Sequence, residues 1–310
     1  MGTNLISDVQ TLGLAAAAAR CEPLARPPWL SEAVWPFPTV SVRVDDANVA
    51  VTTAGSGPAL LFVHTGLSSI IWRDVMSMLA ADFQCVSLDA PGTGLSQRLP
   101  HGRIDIKHSA HAVTAVIREL ELEDLVLVVH DLGGLTGIAG VADVPERVRG
   151  IVAVNTFAWR PSEFPLRAML ALMGNPLVRE FDVATGLLSQ ITATSFGAGG
   201  NLDPTGRRAL RSAIDRDGLR AFHTLMGDAL RSHAIYARVQ RALTDQFRDL
   251  PVLTIFGERN DPFGFQRRWK SLFPQARQVV VPGGHHFPMC DDPALVATSI
   301  SSWYRDLVAA

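Results

Sequence analysis

The feature that most constrains this chain is Val128-Val129-His130-Asp131-Leu132-Gly133-Gly134. A continuous apolar run from Leu125 to Val129 reaches an acidic residue and passes at once into a small-residue helix, Gly133 to Gly140. Buried strand, sharp turn and helix are the layout of a nucleophile elbow. The turn forces the residue at its tip into strained backbone geometry. The second residue after it, Gly133, must be small so that helix and strand can approach. Most such turns present serine, and this one presents Asp131. A carboxylate nucleophile attacks saturated carbon and is later freed from an ester, so the residue type already narrows the reaction.

The rest of the chain supplies the sheet this turn requires. Thr39 to Val44 and Asn48 to Thr53 alternate as strands around a hairpin at Asp45-Asp46. A buried strand follows from Ala59 to His64, then a helix from about Ser69 to Ala80 and a strand from Gln84 to Leu88. The loop Asp89-Ala90-Pro91-Gly92-Thr93-Gly94 comes next, then a helix from about Ile106 to Leu120 that leads to the strand before Asp131. Gly150 to Val154 is one more strand. This alternation predicts an α/β fold with a mainly parallel, doubly wound sheet. From Trp159 to Phe247 the pattern is helical only. Pro251 to Phe256 and Gln278 to Val281 then restore strands, and Ala294 to Leu307 closes with a helix. The expected organisation is an N-terminal arm over 1–38, a core over 39–158 and 247–310, and an inserted helical lid over 159–246.

Composition removes several classes of function. A formal net charge of −2 argues against a polyanion partner, so no nucleic acid is expected. No apolar run reaches the ~18 residues that span a bilayer, and no membrane association is expected. Cys21, Cys85 and Cys290 are too few and too scattered for a disulfide framework or a metal site, which favours a reducing cytoplasm. The alanine-rich stretch 11–20 lacks a preceding positive charge and reads as an N-terminal helix or arm rather than an export signal. His108 and His111 lie three apart on a helix without a third ligand, so a solvated face is expected there and no metal or cofactor.

Sites in open α/β sheets lie beyond the carboxyl ends of the strands. His64-Thr65-Gly66, Asp131, Asp261 and His286 all fall at such ends. Nucleophile, acid and histidine in that chain order form a catalytic triad. Glu258 and Asn155 are further candidates for the orienting acid, and His285 competes with His286 as the base.

These motifs carry a resemblance. From about Val40 onward the chain resembles the α/β-hydrolase superfamily, in its haloalkane dehalogenase and epoxide hydrolase group. The matching segments are Phe62-Val63-His64-Thr65-Gly66, Asp89-Ala90-Pro91-Gly92-Thr93-Gly94, His130-Asp131-Leu132-Gly133-Gly134 and Gly284-His285-His286-Phe287. The resemblance implies that Asp131 forms an alkyl-enzyme ester and that His286, oriented by Asp261, activates the water that cleaves it. It places the oxyanion hole at the backbone N–H groups of Gly66 and Leu132. It also favours His286 over His285, because relatives set the base directly before an aromatic such as Phe287. Asn155 ends the strand where some relatives keep their acid.

The departures from the group concern the leaving group. Dehalogenases hold the halide between a tryptophan after the nucleophile and an asparagine in the first loop, and here those positions are Leu132 and Gly66. Losing one preorganised donor costs on the order of 10²–10³ in rate. Trp159, at the lid entrance, is a candidate replacement. Epoxide opening needs an acid, typically a lid tyrosine, and Tyr236 is the candidate. The expected substrate is a small apolar molecule that reacts with water, first an epoxide opened to a diol. Carbon–halogen hydrolysis and lactone or ester cleavage are the alternatives, and a ligand-binding protein on a hydrolase fold is the reading from a different class. His64, Thr65 and Trp159 are expected near the pocket, and a homodimer is possible.

Overall fold

The computed structural model describes residues 21–99 and 104–309, and the stretch 11–20 lies outside them. The chain opens with a short strand, β1 (Glu22–Pro23), and the hairpin β2 (Thr39–Val44) and β3 (Ala47–Ala54). Val44 pairs with Ala47, so Asp45-Asp46 is a two-residue turn, and Asp45 takes the positive φ (53°) such a turn demands. Strand β4 (Ala59–His64) leads through a 3-10 turn, Ser69–Trp72, into helix α1 (Arg73–Leu79) and strand β5 (Gln84–Asp89). Then come α2 (Ile106–Glu119), β6 (Leu125–Asp131), α3 (Gly133–Val141) and β7 (Val148–Thr156).

After β7 the described chain is helical up to the next strand. The helices are α4 (Phe164–Met173), α5 (Pro176–Thr185), α6 (Leu187–Thr192), α7 (Pro204–Ala213), α8 (Arg216–Ala229) and α9 (His233–Arg241). Their starts are written in the sequence: Asn175, Asp203 and Asp215 each accept a backbone N–H of the first turn of α5, α7 and α8. A π-helical turn, Ala242–Gln246, returns the chain to β8 (Val252–Gly257). Helix α10 (Phe265–Leu272), strand β9 (Arg277–Val281), and helices α11 (Pro288–Asp291) and α12 (Pro293–Ala309) complete the fold.

The nine described strands form one sheet in the order β1-β2-β3-β5-β4-β6-β7-β8-β9. β4 through β9 run parallel, and the first three strands join antiparallel at one edge. β4 and β5 are buried along their whole length, and β6 up to its last residue. Two-sided burial is why these segments read as unbroken apolar runs rather than as alternation. Strand order reverses around β4, which lies between β5 and β6, so a crevice opens beyond the carboxyl ends of β4 and β6. Asp131 stands at that crevice.

Two glycines let α3 descend onto the sheet. A Cβ on Gly133 would overlap the Val63 carbonyl oxygen of β4, and one on Gly134 would overlap Thr156 of β7. Backbone cannot yield as a flexible side chain can. Gly133→Ala should therefore destabilise the fold by about 2 kcal/mol or more, in the range of overpacked cores. Gly200→Ala, whose added methyl meets only ordinary contact, should be near neutral. Urea midpoints of the two variants compare them directly.

Candidate active site

Asp131 ends β6 in the left-handed region, with φ of 53°, where a non-glycine residue needs outside support. Support comes from Thr156 at the end of β7, whose hydroxyl donates to the Asp131 carbonyl at 2.6 Å. The pairing of β6 with β7 shifts register at this point, which frees the carboxylate to turn up into the crevice. His286, in the loop after β9, presents Nε2 at 3.8 Å from Asp131 Oδ2. Burial pushes the Asp131 carboxyl up. His286 opposite it, aided by His130 and His64, outweighs burial and holds the group down to about 2. The carboxylate is therefore ionised at neutral pH.

The residue that meets His286 from behind is Asn260. Its Nδ2 lies 3.2 Å from His286 Nδ1. Asp261, expected in that role, instead caps α10: one oxygen accepts the Phe265 N–H at 2.6 Å and the other the Gln266 N–H at 3.0 Å. A strand-end aspartate four residues before a helix finds two unsatisfied N–H groups closer at hand than an imidazole. Glu258 accepts the Gly283 N–H and braces the two neighbouring loops. Asn155, with φ of 35°, donates from Nδ2 to the His285 and His286 carbonyls and accepts the Gly257 N–H at Oδ1. One amide thus ties the ends of β7 and β8 to the histidine loop. His285 points the other way, its ring edge-on to exposed Phe196.

Beneath the carboxylate lies a pair of buried histidines. His130 Nε2 is 2.7 Å from the His286 carbonyl, which can only accept, so this nitrogen carries the proton. Burial lowers His130 well below the ordinary histidine range, so the ring is neutral and its Nδ1 is a bare acceptor. His64 Nδ1, 3.2 Å away, must then be the donor. His64 itself is pushed down to about 4 by burial. The pair fixes the backbone that carries His286.

Gly66, with φ of 105°, and Leu132 flank Asp131, and neither N–H has a protein acceptor among the described residues. Thr65 holds the two loops in register. Its hydroxyl meets that of Thr136 at 2.6 Å, and Thr136 in turn donates to the Leu132 carbonyl. Asp89 fixes the same region from the other side by accepting the Ser69 and Leu95 N–H groups, each at 2.6 Å.

A cavity of about 380 Å³ rises above Asp131 and His286. Its walls combine residues of the helices between β7 and β8, such as Leu166, Met173, Phe222 and Met226, with Phe256 of β8 and Phe265 of α10. Four of the residues expected near the pocket do not line it. His64 and Thr65 are buried underneath, where their polar atoms serve the loops. Trp159 fills the seam between sheet and insertion, edge-on to Phe265 and Trp269, with the Arg268 guanidinium 4.4 Å from its ring. Tyr236 lies in α9, a helix packed on α3, with a buried hydroxyl that has no protein partner among the described residues. Burial pushes that hydroxyl far above its ordinary range. Tyr236 and Val239 are the buried residues of α9, and Tyr236 is not among the residues that line the cavity. Asn260, His130 and the methionines of α4 and α8 were not singled out by sequence. Only the proximity of Asn260 to Asp261 hinted at its place.

The sequence profile of the alpha/beta hydrolase fold matches residues 58–293. The chain belongs to that family. It is similar to haloalkane dehalogenase 2 of Mycobacterium tuberculosis, 24% identical over 274 residues that span 86% of this chain and 95% of the relative. The cis-3-alkyl-4-alkyloxetan-2-one decarboxylase of Shewanella oneidensis is 33% identical over 147 residues, 44% of this chain and 46% of the relative. Among solved structures, a loop variant of a haloalkane dehalogenase from Bradyrhizobium elkanii superposes with a TM-score of 0.74 at 19% identity, covering 88% of this chain and 98% of that one. This α/β hydrolase is an enzyme, and no helix among its described residues is long and apolar enough to cross a membrane.

The histidine pair has a consequence for acid stability. The unfolded chain protonates His64 near pH 6.5, and the folded protein only near pH 4. Its contribution is therefore complete above pH 6.5 and is lost as pH falls towards 4, at about 1.4 kcal/mol per pH unit. Urea unfolding between pH 7 and pH 4.5 should show that decline, and His64→Asn should flatten it by about one proton. An identical slope in the variant would assign the acid sensitivity to other groups.

Proposed function

We propose that this hydrolase opens small-ring lactones carrying apolar substituents, by way of an ester on Asp131. The observation that carries this reading is the lining of the cavity, which offers the Asp131 carboxylate, a histidine and the Asp261 carboxylate that caps α10, but no side-chain group suited to a basic leaving group. Tyr236, the acid that epoxide opening needs, stands outside the cavity, as does the Trp159 indole. The amides that do line it are engaged, Asn155 with the His285 and His286 carbonyls and Asn260 with His286. An alkoxide would leave without a proton source, and a halide without a side-chain cradle. A lactone attacked at its saturated ring carbon needs neither, because the departing oxygen becomes a weakly basic carboxylate that stays tethered.

In the first step an Asp131 oxygen forms a bond to that carbon and the ring C–O bond breaks, its electron pair passing to the ring oxygen. In the second, water attacks the Asp131 ester carbonyl and gives its proton to His286. The N–H groups of Gly66 and Leu132 receive the developing oxyanion, and on collapse the ester C–O bond breaks, His286 returns its proton to the departing alkoxide, a hydroxy acid is released and Asp131 is restored. The similarity to a protein named for an oxetan-2-one, a four-membered lactone, supports the ring type. A second reading, carbon–halogen hydrolysis, is favoured by the similarity to haloalkane dehalogenases over most of the chain.

Single turnover of an alkyl β-lactone in ¹⁸O-water should place the label on the Asp131 carboxylate rather than on the product hydroxyl. His286→Ala should accumulate protein heavier by one lactone. Diol from an epoxide, or brisk bromide release from a bromoalkane with the lactone untouched, would replace this reading with one of the others.

Asn260 makes a separate prediction. An amide at Nδ1 supports the imidazolium of the second step less than a carboxylate does. Asn260→Asp should therefore speed ester cleavage by about tenfold or more while leaving ester formation unchanged, as rapid-quench kinetics would resolve. An unchanged cleavage rate would show that Asn260 does not govern the base.

A further inference from the structure

Helix α4 has two lined faces. Leu166, Met169, Leu170 and Met173 face the cavity over Asp131. Phe164, Arg167, Ala168 and Ala171 border a second cavity of about 460 Å³, completed by Arg160 and Leu230 among others. The two sets are offset by about two residues, roughly 200° around a helix, so one helix forms a wall of both spaces. The outer cavity falls within the size range of small-molecule sites.

Its chemistry is asymmetric. Neither the Arg160 nor the Arg167 guanidinium has a hydrogen-bond or ion-pair partner among the described residues, the Arg167 backbone N–H alone donating to the Glu163 carbonyl. The carboxylates close in sequence to its lining residues are committed elsewhere. Glu163 accepts from the Ser162 N–H and hydroxyl and lies 3.9 Å from Arg268. Asp228 accepts the Ile106 N–H and the Ser232 hydroxyl. No acidic residue lines the cavity. Beside the two free cations lie Phe164, which is 80% exposed, and the side chains of Ala168, Ala171 and Leu230. Paired guanidinium groups next to an apolar strip complement one molecular shape, an acidic head with an apolar tail.

We propose that the groove on the outer face of α4 binds a single-chain anionic amphiphile. Arg160 and Arg167 hold its carboxylate or phosphate, and Phe164, Ala168, Ala171 and Leu230 take its chain. Because α4 also walls the substrate cavity, an occupant here braces the helix that carries Met169 and Met173 over Asp131. The proposal does not depend on which ring or leaving group Asp131 attacks.

The test is calorimetric titration with decanoate below its micelle concentration, alongside decanol and decyltrimethylammonium. Decanoate should bind wild type at one site, weaken as salt is raised, and bind Arg160→Gln/Arg167→Gln about tenfold or more less tightly. Decanol and the cation should show no such dependence on the arginines. Both arginines are exposed, so the double variant should keep the wild-type urea midpoint and lactone turnover. Ala168→Trp, which fills the groove with both cations in place, should also weaken decanoate binding. Equal affinity in wild type and both variants overturns the proposal. So does decanoate that competes with lactone equally in all three proteins, because it then occupies the Asp131 cavity. Arginine-dependent sedimentation with phosphatidylglycerol vesicles, without binding of monomeric decanoate, would assign the groove to a lipid surface and also overturn it.

Discussion

Everything at this site depends on Asp131 being held in a backbone conformation that it would not choose alone. Left-handed geometry costs a non-glycine residue on the order of 1–3 kcal/mol, and three features sustain it here. Thr156 pins the carbonyl, the register shift against β7 gives the turn room, and two glycines allow α3 to press against β4 and β7. The strain faces the Asp131 carboxylate away from the sheet, and the Leu132 N–H follows directly in the same turn. Carboxylate and unengaged N–H are thus one local structure.

The histidine side of the site is built differently. No single turn produces it. His286 sits in a loop whose carbonyls are gripped by Asn155 from β7 and by His130 from β6. Both grips act on backbone, so the imidazole keeps its freedom at Nδ1 and Nε2. Asn260 then approaches one nitrogen and Asp131 the other. An amide can turn either its oxygen or its NH₂ towards Nδ1, and so it admits either tautomer of His286 where a carboxylate would impose one.

Much of this was legible in the chain. The parallel strands announced themselves as apolar runs because they are covered on both faces, and β4 ends where sequence placed it, at His64. Asp131 was legible because small residues follow it in a position where nothing else fits. Asp261, Tyr236 and Trp159 meet partners that the sequence did not show, for a shared reason. Each is of a residue type that serves catalysis and local structure equally well, and local demand decided: a helix start for Asp261, and packing against neighbouring elements for the two aromatics. His64, the last residue of β4, and Thr65 after it stand at the expected strand end but turn their side chains to buried partners. Sequence spacing cannot say which way a loop side chain turns when a buried hydrogen-bond partner competes with open space.

The Asn155 amide joins β7, β8 and the histidine loop, and its hydrogen-bond partners, Gly257, His285 and His286, all lie outside 159–246. The distance between Asp131 and His286 is accordingly a property of the sheet, and the walls of the cavity are largely a property of the insertion. The two can diverge separately. A chimaera that carries a foreign set of helices between β7 and β8 inherits the reaction from the scaffold and a new range of substrates from the graft, and lineages of this chain can drift in what they accept without re-inventing how they attack it.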